Sequence, residues 1–228
     1  MEKLVIFGNG EIGELAEYYF RNDSKYDVVA FTADEKYIKS DTFCGLPLIG
    51  FKDIVLTHPP EEYKMFIALS YSRMNKDRAE KYYKAKELCY DLVSYISSRC
   101  TFLTEIPIGD NCFILEDNTI QPFVRIGNNV TLWSGNHIGH GSRIENHCFI
   151  SSHVVISGNV QMKPYCFIGI NSSIRDSITI EKSTLIGAGS IVMKNTIEKG
   201  VYIQPRATVS EKNSDEIKIW RDFRCVKR

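Results

Sequence analysis

A period of six residues constrains the fold of this chain more than any other feature of its sequence. From Ile96 to Val192, every sixth position carries a large apolar residue. Glycine or a polar residue usually follows it, as in Ile138-Gly139. This period fits neither a helix face nor a simple alternating strand, but it is typical of a solenoid in which each repeat supplies one short strand and one turn.

Four positions after each of these large apolar residues comes a mostly small residue. Both residues are predicted to point into the interior of the solenoid. Three repeats would close one triangular coil, so residues eighteen apart would stack. Cys148 and Cys166 then become inward neighbours, which favours a role as core filler. Asn118 and Asn136 are also eighteen apart, and we expect a ladder of side-chain hydrogen bonds there because a buried amide must be satisfied.

Before residue 96 the pattern is that of alternating strands and helices. K-L-V-I-F-G, D-V-V-A-F-T and M-F-I-A-L-S read as buried strands, E-L-A-E-Y-Y-F-R has helical spacing, and a second helix is predicted from about Asn75 to Leu88. This alternation predicts a small α/β, Rossmann-like unit over residues 1–95. The period of six predicts a parallel β-helix unit over residues 96–228. The segment S-D-E-I-K-I-W-R-D-F is predicted to form a C-terminal helix that caps the solenoid.

Charge and apolar content exclude several classes of partner. Lys plus Arg number 28 and Asp plus Glu number 28, so no net positive field favours nucleic acid or a membrane surface. The first apolar run is too short for a signal peptide, and no run of 18 apolar residues occurs, so we expect a cytoplasmic protein. The 7 cysteines lack C-x-x-C spacing, which favours reduced thiols over disulfides or a zinc site.

The glycines of the first turn form a candidate phosphate-binding loop. Gly8, Gly10 and Gly13 make G-x-G-x-x-G between a predicted strand and a predicted helix, where backbone amides can hold a pyrophosphate. Asp34 closes the second strand, where a carboxylate can meet a ribose hydroxyl. The alternative is a tight turn that merely needs glycine. The unit is short for a nicotinamide domain, which favours a mononucleotide or a nucleotide-sugar over NAD.

A second wall of this crevice is predicted after the third strand. Ser70, Tyr71, Asn75 and Arg78 would face the crevice at the carboxyl ends of the strands. For Arg78 the alternative is a solvated position on the helix surface.

The two parts, in this order, resemble the sialic-acid O-acetyltransferase-like family of sugar acyltransferases. The resemblance rests on V-I-F-G-N-G-E-I-G, I-G-H-G-S-R-I-E-N-H-C-F-I-S-S-H, I-G-I-N-S-S-I and L-I-G-A-G-S-I-V, and it is strongest to bacterial enzymes that N-acetylate nucleotide-linked amino sugars. It implies a left-handed β-helix, a homotrimer, and acetyl-CoA or another acyl-CoA as cosubstrate, without a metal. It also implies N-acylation of a UDP- or dTDP-linked amino-deoxy sugar for a bacterial surface glycan such as O-antigen or lipopolysaccharide.

Residue roles follow from the same resemblance. His140 matches the general base, and Gly158 matches the glycine whose N–H receives the thioester oxygen. Ile170 and Ala188 match positions that line the CoA site. The positions that match the nucleotide-sugar site are Gly10, Glu11, Ile12, Asp34 and Ser70.

Two positions depart from the family pattern. Gly141 follows the histidine where relatives carry an acid, so the partner that would orient the ring is missing. Trp133 stands where many relatives carry Asn, and its ring could reshape the acyl pocket, which leaves an acyl group other than acetyl open.

The other histidines have competing interpretations. His153 is the alternative catalytic base, His137 is assigned a structural or substrate-contact role, and His147 is expected to be solvated in a turn. A metal site among these four histidines is disfavoured because no two of them are eighteen apart. Sugar O-acetylation and a non-catalytic nucleotide-sugar-binding scaffold remain as alternative functions.

Overall fold

The computed structural model describes residues 2–205 and 207–216. The first part of the chain forms a Rossmann-like unit. Its sheet has the order β3-β4-β2-β1-β5 and is parallel except for the β3–β4 hairpin. The elements are β1 (Glu2–Phe7), α1 (Glu11–Asn22), β2 (Tyr26–Ala33), β3 (Thr42–Phe43), β4 (Leu46–Gly50), α2 (Ile54–Thr57), β5 (Tyr63–Ile67) and α3 (Lys76–Glu87), with a 3-10 turn at Glu35–Tyr37. The α/β prediction for this unit is confirmed.

The central strand shows why this sequence forms a sheet covered on both faces. Its residues Leu4 to Phe7 form one apolar run, and all are buried between β2 and β5. Leu4 packs with Phe20 of α1, whereas Val5 packs with Tyr82 of α3 on the opposite face. A continuous apolar run is typical of a parallel strand with helices on both sides.

The rest of the chain is a left-handed parallel β-helix, as predicted. Each strand is two residues long and pairs in parallel with the strand one coil later; for example, His137 pairs with Val155. The strands are β6 (Tyr95–Ile96), β7 (Thr101–Phe102), β8 (Phe113–Ile114), β9 (Thr119–Ile120), β10 (Arg125–Ile126), β11 (Thr131–Leu132), β12 (His137–Ile138), β13 (Arg143–Ile144), β14 (Phe149–Ile150), β15 (Val155–Ile156), β16 (Gln161–Met162), β17 (Phe167–Ile168), β18 (Ser173–Ile174), β19 (Thr179–Ile180), β20 (Leu185–Ile186), β21 (Ile191–Val192) and β22 (Val201–Tyr202).

Three sheets form the faces of the solenoid. The docked face contains β6, β8, β11, β14, β17, β20 and β22, and the Rossmann-like unit packs on it. The second face contains β7, β9, β12, β15, β18 and β21, and the third face contains β10, β13, β16 and β19. Turns join the faces at three corners, which we name the His140 corner (second to third face), the His147 corner (third to docked face) and the His153 corner (docked to second face).

The interior follows the repeat, with one correction. Cys148 and Cys166 are fully buried in the solenoid core, as expected. The expected ladder between the side chains of Asn118 and Asn136 is wrong, because these two amides bond to the main chain instead. A direct bond between asparagine side chains forms elsewhere, where Asn111 Nδ2 donates to Asn129 Oδ1 at 2.9 Å. Asn118 Nδ2 donates to the carbonyl of Leu115 at 2.8 Å, and its Oδ1 accepts from the backbone N–H of Asn136 at 3.2 Å. Main-chain partners therefore satisfy these amides coil by coil.

The two ends of the repeat differ from the prediction. No strand forms at Ile108, because Pro107 has no N–H to donate to Val124, whose carbonyl accepts from the Thr104 hydroxyl at 2.9 Å. At the other end, β22 pairs with β20 although the sequence repeat stops at Val192.

The predicted C-terminal helix falls mainly on residues 217–228, which lie outside the described residues. The part that is described forms only a 3-10 turn at Ser214–Glu216. In the described part of the chain, every helix is too short or too polar to cross a membrane.

Candidate active site

The glycine-rich turn between β1 and α1 uses its three glycines in different ways. Gly8 has a φ of +127°, and a Cβ there would lie 2.5 Å from the carbonyl oxygen of Ala68. A Cβ on Gly13 would collide with the Gly8 carbonyl. A Cβ on Gly10 would meet no atom within 4 Å, and the φ of this residue is −121°, so packing does not require glycine there. The open space beside Gly10 would let a ligand approach the backbone closely.

A cavity of about 860 Å³ opens above this turn, at the carboxyl ends of β1, β2 and β5. Of the residues assigned to the nucleotide-sugar from the sequence, it brings together Gly8, Gly10, Glu11, Ile12, Asp34 and Ser70. The position agrees with the rule that open α/β sheets bind ligands outside the carboxyl ends of their strands. The first N–H groups of α1 point to this end of the sheet without a side-chain cap, so they are available to an anion.

Charged groups on the cavity wall largely pair with one another. Lys81 donates a hydrogen bond to Asp34, and Arg73 bridges Asp77 at 2.5 Å and Glu80 at 2.7 Å. Lys36, the third cation of the wall, forms no ion pair with a described residue; its Nζ lies 4.7 Å from the ring centroid of Tyr37. Lys36 and the backbone amides of the glycine turn are therefore the groups of this cavity that are available to an anion.

The segment between β5 and α3 has an unusual backbone. Arg73, Met74 and Asn75 have consecutive positive φ values of 49°, 54° and 63°. Three such residues in a row turn the chain sharply, so that Arg73 lines the cavity while Asn75 is directed into the solenoid, where its Nδ2 donates to the carbonyl of Cys166 at 3.1 Å. The prediction that Asn75 and Arg78 face the crevice is therefore wrong.

Arg78 is buried against the His147 corner, so the alternative of a solvated helix residue is also wrong. Only 1% of it is exposed. Its guanidinium donates to Oδ1 of Asn129 at 3.1 Å, to the Asn129 carbonyl at 3.2 Å and to the Cys148 carbonyl at 3.0 Å. Burial lowers its pKa to about 10, which still leaves it charged at neutral pH. Arg78 is thus an anchor between the two units.

His147 lies at the same junction and is 1% exposed, so its predicted solvation is wrong. Its Nδ1 is 2.9 Å from Nδ2 of Asn129, and its Nε2 is 2.9 Å from the hydroxyl of Tyr83 on α3. Because the Asn129 amide group donates, Nδ1 accepts, and the proton of the neutral ring lies on Nε2. Burial, with a further contribution from the charge of Arg78, lowers the pKa of His147 to about 4.

Tyr71 and Trp133 also lie on the docked side. The Tyr71 ring packs on Phe149 and Phe167 of the docked face, with centroids 5.0 Å and 4.7 Å away, and it does not line the cavity. Trp133 is half-buried against Phe149 and the core of the Rossmann-like unit. Within one chain, both rings therefore contribute to the junction of the two units.

His140 has the opposite environment. It is exposed, and its ring lies over Gly158 of the next coil, where a Cβ would be only 2.6 Å from Cε1 and 2.8 Å from Nε2. The backbone N–H of Gly158 donates no hydrogen bond to any residue that the structure describes. A basic imidazole edge and a free amide donor therefore lie side by side on a rigid corner.

The backbone does not exclude an acid after His140. Gly141 has a φ of +67°, but Asp117 occupies the same position of the repeated turn with a φ of 59°. A Cβ on Gly141 would approach the terminal Oδ1 of Asn159, so a side chain there requires only that the Asn159 side chain moves.

The remaining candidates lie around the His153 corner. His153 is exposed, and its ring lies over Gly135, where a Cβ would be 2.6 Å from Nδ1. Ile170 and Ala188 are exposed at the same corner, one coil apart. Across residues 2–205 and 207–216, no three His, Cys, Asp or Glu side chains are grouped closely enough to hold a metal ion.

The cavity and His140 lie on different sides of one chain. The Rossmann-like unit contacts the docked face and its two bordering corners, for example through Tyr19 to Glu116 at 2.6 Å and through Arg78 to Asn129. The His140 corner joins the other two faces, so it is the edge of the prism opposite the docked unit. Both groups can meet one substrate only if a second chain supplies one of them.

These features define a two-part architecture, a Rossmann-like unit with an open crevice followed by a left-handed β-helix. Residues 108–219 match the family model for the GMPPB C-terminal domain. A comparison with curated proteins finds no match.

Several solved structures share this architecture over most of their length. The acetyltransferase domain of PglB from Neisseria gonorrhoeae FA1090 has a TM-score of 0.74 at 17% identity, covering 88% of this chain and 96% of that chain. PerB from Caulobacter crescentus, in complex with CoA and GDP-perosamine, has a TM-score of 0.74 at 18% identity, covering 87% and 92%. WeeI from Acinetobacter baumannii AYE has a TM-score of 0.72 at 17% identity, covering 87% and 93%. The resemblance expected from the sequence is confirmed at the level of the fold.

Sequence reasoning missed several residues that shape the site. Lys81 and Arg73 control the charge of the cavity, Glu116 joins Tyr19 to Ser134 at the junction, and Gln121 contacts His140. The only signal for the last two was their spacing of about eighteen residues from Ser134 and His140, which places them one coil away.

Proposed function

We propose that this protein is an acyl-CoA-dependent N-acyltransferase that acts on the amine of a nucleotide-linked amino-deoxy sugar. The observation that carries the proposal is the exposed His140 imidazole held beside the free N–H of Gly158. A base and an oxyanion donor are the two groups that acyl transfer from a thioester to an amine requires.

The proposed reaction forms one C–N bond and breaks one C–S bond. The neutral amine attacks the thioester carbonyl, and the developing oxyanion accepts a hydrogen bond from the N–H of Gly158. His140 takes the ammonium proton through Nε2, and the imidazolium can then return it to the departing CoA thiolate. No side chain acts as the nucleophile, so no acyl-enzyme is expected.

The cavity of the Rossmann-like unit is the proposed nucleotide-sugar site. The glycine turn and the N-terminus of α1 would hold the diphosphate, and Asp34 would accept from a ribose hydroxyl. Glu11, Ile12 and Ser70 complete the wall. The family resemblance implies UDP or dTDP, and the GDP-perosamine bound to PerB adds a guanine nucleotide to the candidates.

The proposed acyl donor is acetyl-CoA or another acyl-CoA. Acetyl-CoA is bound in a structure of the PglB acetyltransferase domain, and CoA is bound in PerB. The exposed residues Ile170 and Ala188 would line the CoA site, one face away from Gly158. The backbone N–H groups of both residues donate to no described residue, so they are open to an amide-containing ligand.

A homotrimer would complete this site. The cavity and His140 lie on opposite sides of one chain, so a closed ring of copies would bring the cavity of one subunit to the His140 corner of its neighbour. The second face of the solenoid carries the exposed side chains of Val155 and Ile191, which a neighbouring copy would cover. The product would serve a bacterial surface glycan such as O-antigen, and the proposed location is the cytoplasm, where acyl-CoA is made.

A release assay tests the proposal. Purified protein would be incubated with acetyl-CoA and, separately, UDP-, dTDP- and GDP-linked amino sugars, while free thiol is followed and the product mass is measured. The proposal expects thiol release that requires one amino sugar and a product that resists hydroxylamine, as an amide does. A hydroxylamine-labile product would indicate sugar O-acetylation. Binding of the nucleotide-sugar without any thiol release from acetyl- or longer acyl-CoA would indicate a non-catalytic scaffold.

A further inference from the structure

Gln121 lies next to the candidate base although it is distant in sequence. It is the first turn residue of the His140 corner one coil earlier, and its backbone N–H donates to the Ile138 carbonyl at 3.0 Å. Its side chain extends across the coil boundary. There Oε1 accepts from the backbone N–H of His140 at 2.8 Å and lies 3.4 Å from Nδ1 of the same residue.

This contact defines which atom of Gln121 faces the imidazole. The backbone N–H of His140 can only donate, so the side-chain amide must present its oxygen at this point. An oxygen accepts, and the neighbouring Nδ1 is therefore the nitrogen that carries the proton of the neutral ring. The lone pair is then on Nε2, the nitrogen directed over Gly158.

No carboxylate takes this role in the described part of the chain. Gln121 is the one hydrogen-bond partner of the His140 ring among the described residues. The titratable and charged groups on the strands and turns packed around this corner are His137 on β12, Arg143 on β13, Arg125 on β10, and Arg175 and Asp176 two coils later. None of them forms a hydrogen bond or ion pair with the ring, and Asp176 lies 3.9 Å from Arg175.

We infer that Gln121 is a positioning residue for His140, which keeps the imidazole in its Nδ1–H tautomer and aims Nε2 at the acceptor amine. The inference rests on the proposed function of His140 as the base. It assigns to a neutral amide, one coil away, the orienting task that an acid would perform at position 141. A neutral partner fixes the tautomer without adding a negative charge to hold the imidazolium.

Two substitutions of Gln121 and one matched control separate these effects. Gln121→Met keeps the side-chain length but removes the acceptor, and we expect kcat to fall about tenfold or more with little change in KM, as for the loss of other orienting partners. Gln121→Glu supplies a carboxylate, which also accepts a hydrogen bond, so its kcat should stay close to that of the wild type. The acid limb of its pH–rate profile should move to higher pH, because a negative partner favours the protonated ring. Gln161→Met, on the third face, should match the wild type.

A second readout does not depend on activity. Nitrogen-15 NMR of the histidine rings distinguishes the two neutral tautomers, and we expect the Nδ1–H form of His140 in the wild type and in Gln121→Glu. In Gln121→Met the signal should shift toward a mixture dominated by the tautomer with the proton on Nε2, which is the commoner form of a free imidazole.

The outcomes distinguish this inference from the proposed function. Wild-type kcat and an unchanged tautomer in Gln121→Met would overturn the positioning role while leaving acyl transfer in place. A wild-type protein that transfers no acyl group would overturn the proposed function, and the catalytic part of the inference with it. Thermal unfolding of each variant checks that a loss of rate does not reflect a loss of fold.

Discussion

Two corners of the same solenoid place histidines in opposite environments. At the His147 corner, α3 covers the turn, and His147 is buried with a pKa lowered to about 4. At the His140 corner, the turn is open, and the His140 ring lies over a glycine with a free N–H. The two histidines also differ in turn position, because His147 has a φ of 62° whereas His140 precedes the left-handed residue Gly141. His153 shares the turn position of His147, with a φ of 57°, and is exposed, so the packing of α3 decides whether a histidine at that position is buried.

The covered corner also shows how the two units are held together. Arg78 and Asn75 contribute hydrogen bonds to solenoid carbonyls, and Asn111 exchanges hydrogen bonds with the backbone of Ile67 at the end of β5. Polar contacts of this kind need a fixed geometry, because each buried group must find its partner. The cavity is therefore held at a defined position on the docked face, away from the open corner.

The largest expected effect separates the two histidines by activity. His140→Ala should lower kcat by about 10² to 10⁴-fold, because it removes a positioned base. The KM for the nucleotide-sugar should change little, since the cavity lies on the other side of the chain. Steady-state thiol release measures both values. His147→Ala is the comparison, and a rate loss as large as that of His140→Ala would contradict the assignment.

The second prediction concerns the stability of the covered corner. Arg78→Met should lower the free energy of unfolding by about 3 kcal/mol, because three hydrogen bonds to buried acceptors are lost together. Urea unfolding at a fixed protein concentration measures the change. Arg125→Met, at an exposed arginine of the third face, should stay within about 0.5 kcal/mol of the wild type. Equal effects of the two substitutions would show that Arg78 is not an anchor.

The third prediction uses pH on the covered corner. The imidazole of His147 binds a proton near pH 6.5 in the unfolded chain but only near pH 4 in the folded protein, so the unfolded state binds more protons between these values. The free energy of unfolding should therefore fall as pH falls from about 6.5 to 4, by on the order of 2 kcal/mol from this residue.

Substitution isolates this contribution. His147→Gln should flatten that part of the stability curve. Urea midpoints measured from pH 7 to 4.5 provide the comparison. The same slope in His147→Gln and the wild type would show that His147 is not the group involved.

The smallest expected effect tests the glycine under the His140 ring. Gly158→Ala should displace the imidazole and reduce kcat by about tenfold, the cost of a misplaced catalytic group. The fold should persist, since Gly158 does not have a positive φ. Gly135→Ala displaces His153 in the same way, although its φ of +76° adds backbone strain. A larger rate loss in Gly135→Ala than in Gly158→Ala would favour His153 as the base.

The fold was predictable to different depths in the two units. The β-helix could be predicted because the large apolar residue of each repeat from Ile114 to Val192 is buried inside a coil. The Rossmann-like unit was recognised from three strands, but the β3–β4 hairpin was not, because its strands are short and Pro47 within β4 weakens the strand signal. Pro107 removed a strand that the apolar repeat alone predicts.

The candidate site was predictable only for residues whose position follows from the strand or turn in which they lie. The glycine turn and Asp34 lie at strand ends, and the structure brings them together in the cavity. The predicted environments of His147, Asn75 and Arg78 were wrong, because the environment of each residue depends on how one unit docks on the other. Gln121 was missed for a related reason, since its contact with His140 crosses from one coil to the next.

The most direct test of this account is subunit complementation. Gly10→Phe should obstruct the cavity without a backbone clash, and His140→Ala removes the base, so each variant alone should be nearly inactive. The whole pool of oligomers formed by co-expression of equal amounts should regain about a quarter of the wild-type rate if each site combines the cavity of one chain with the His140 corner of its neighbour. Mixed oligomers as inactive as the parents would contradict a site shared between two chains.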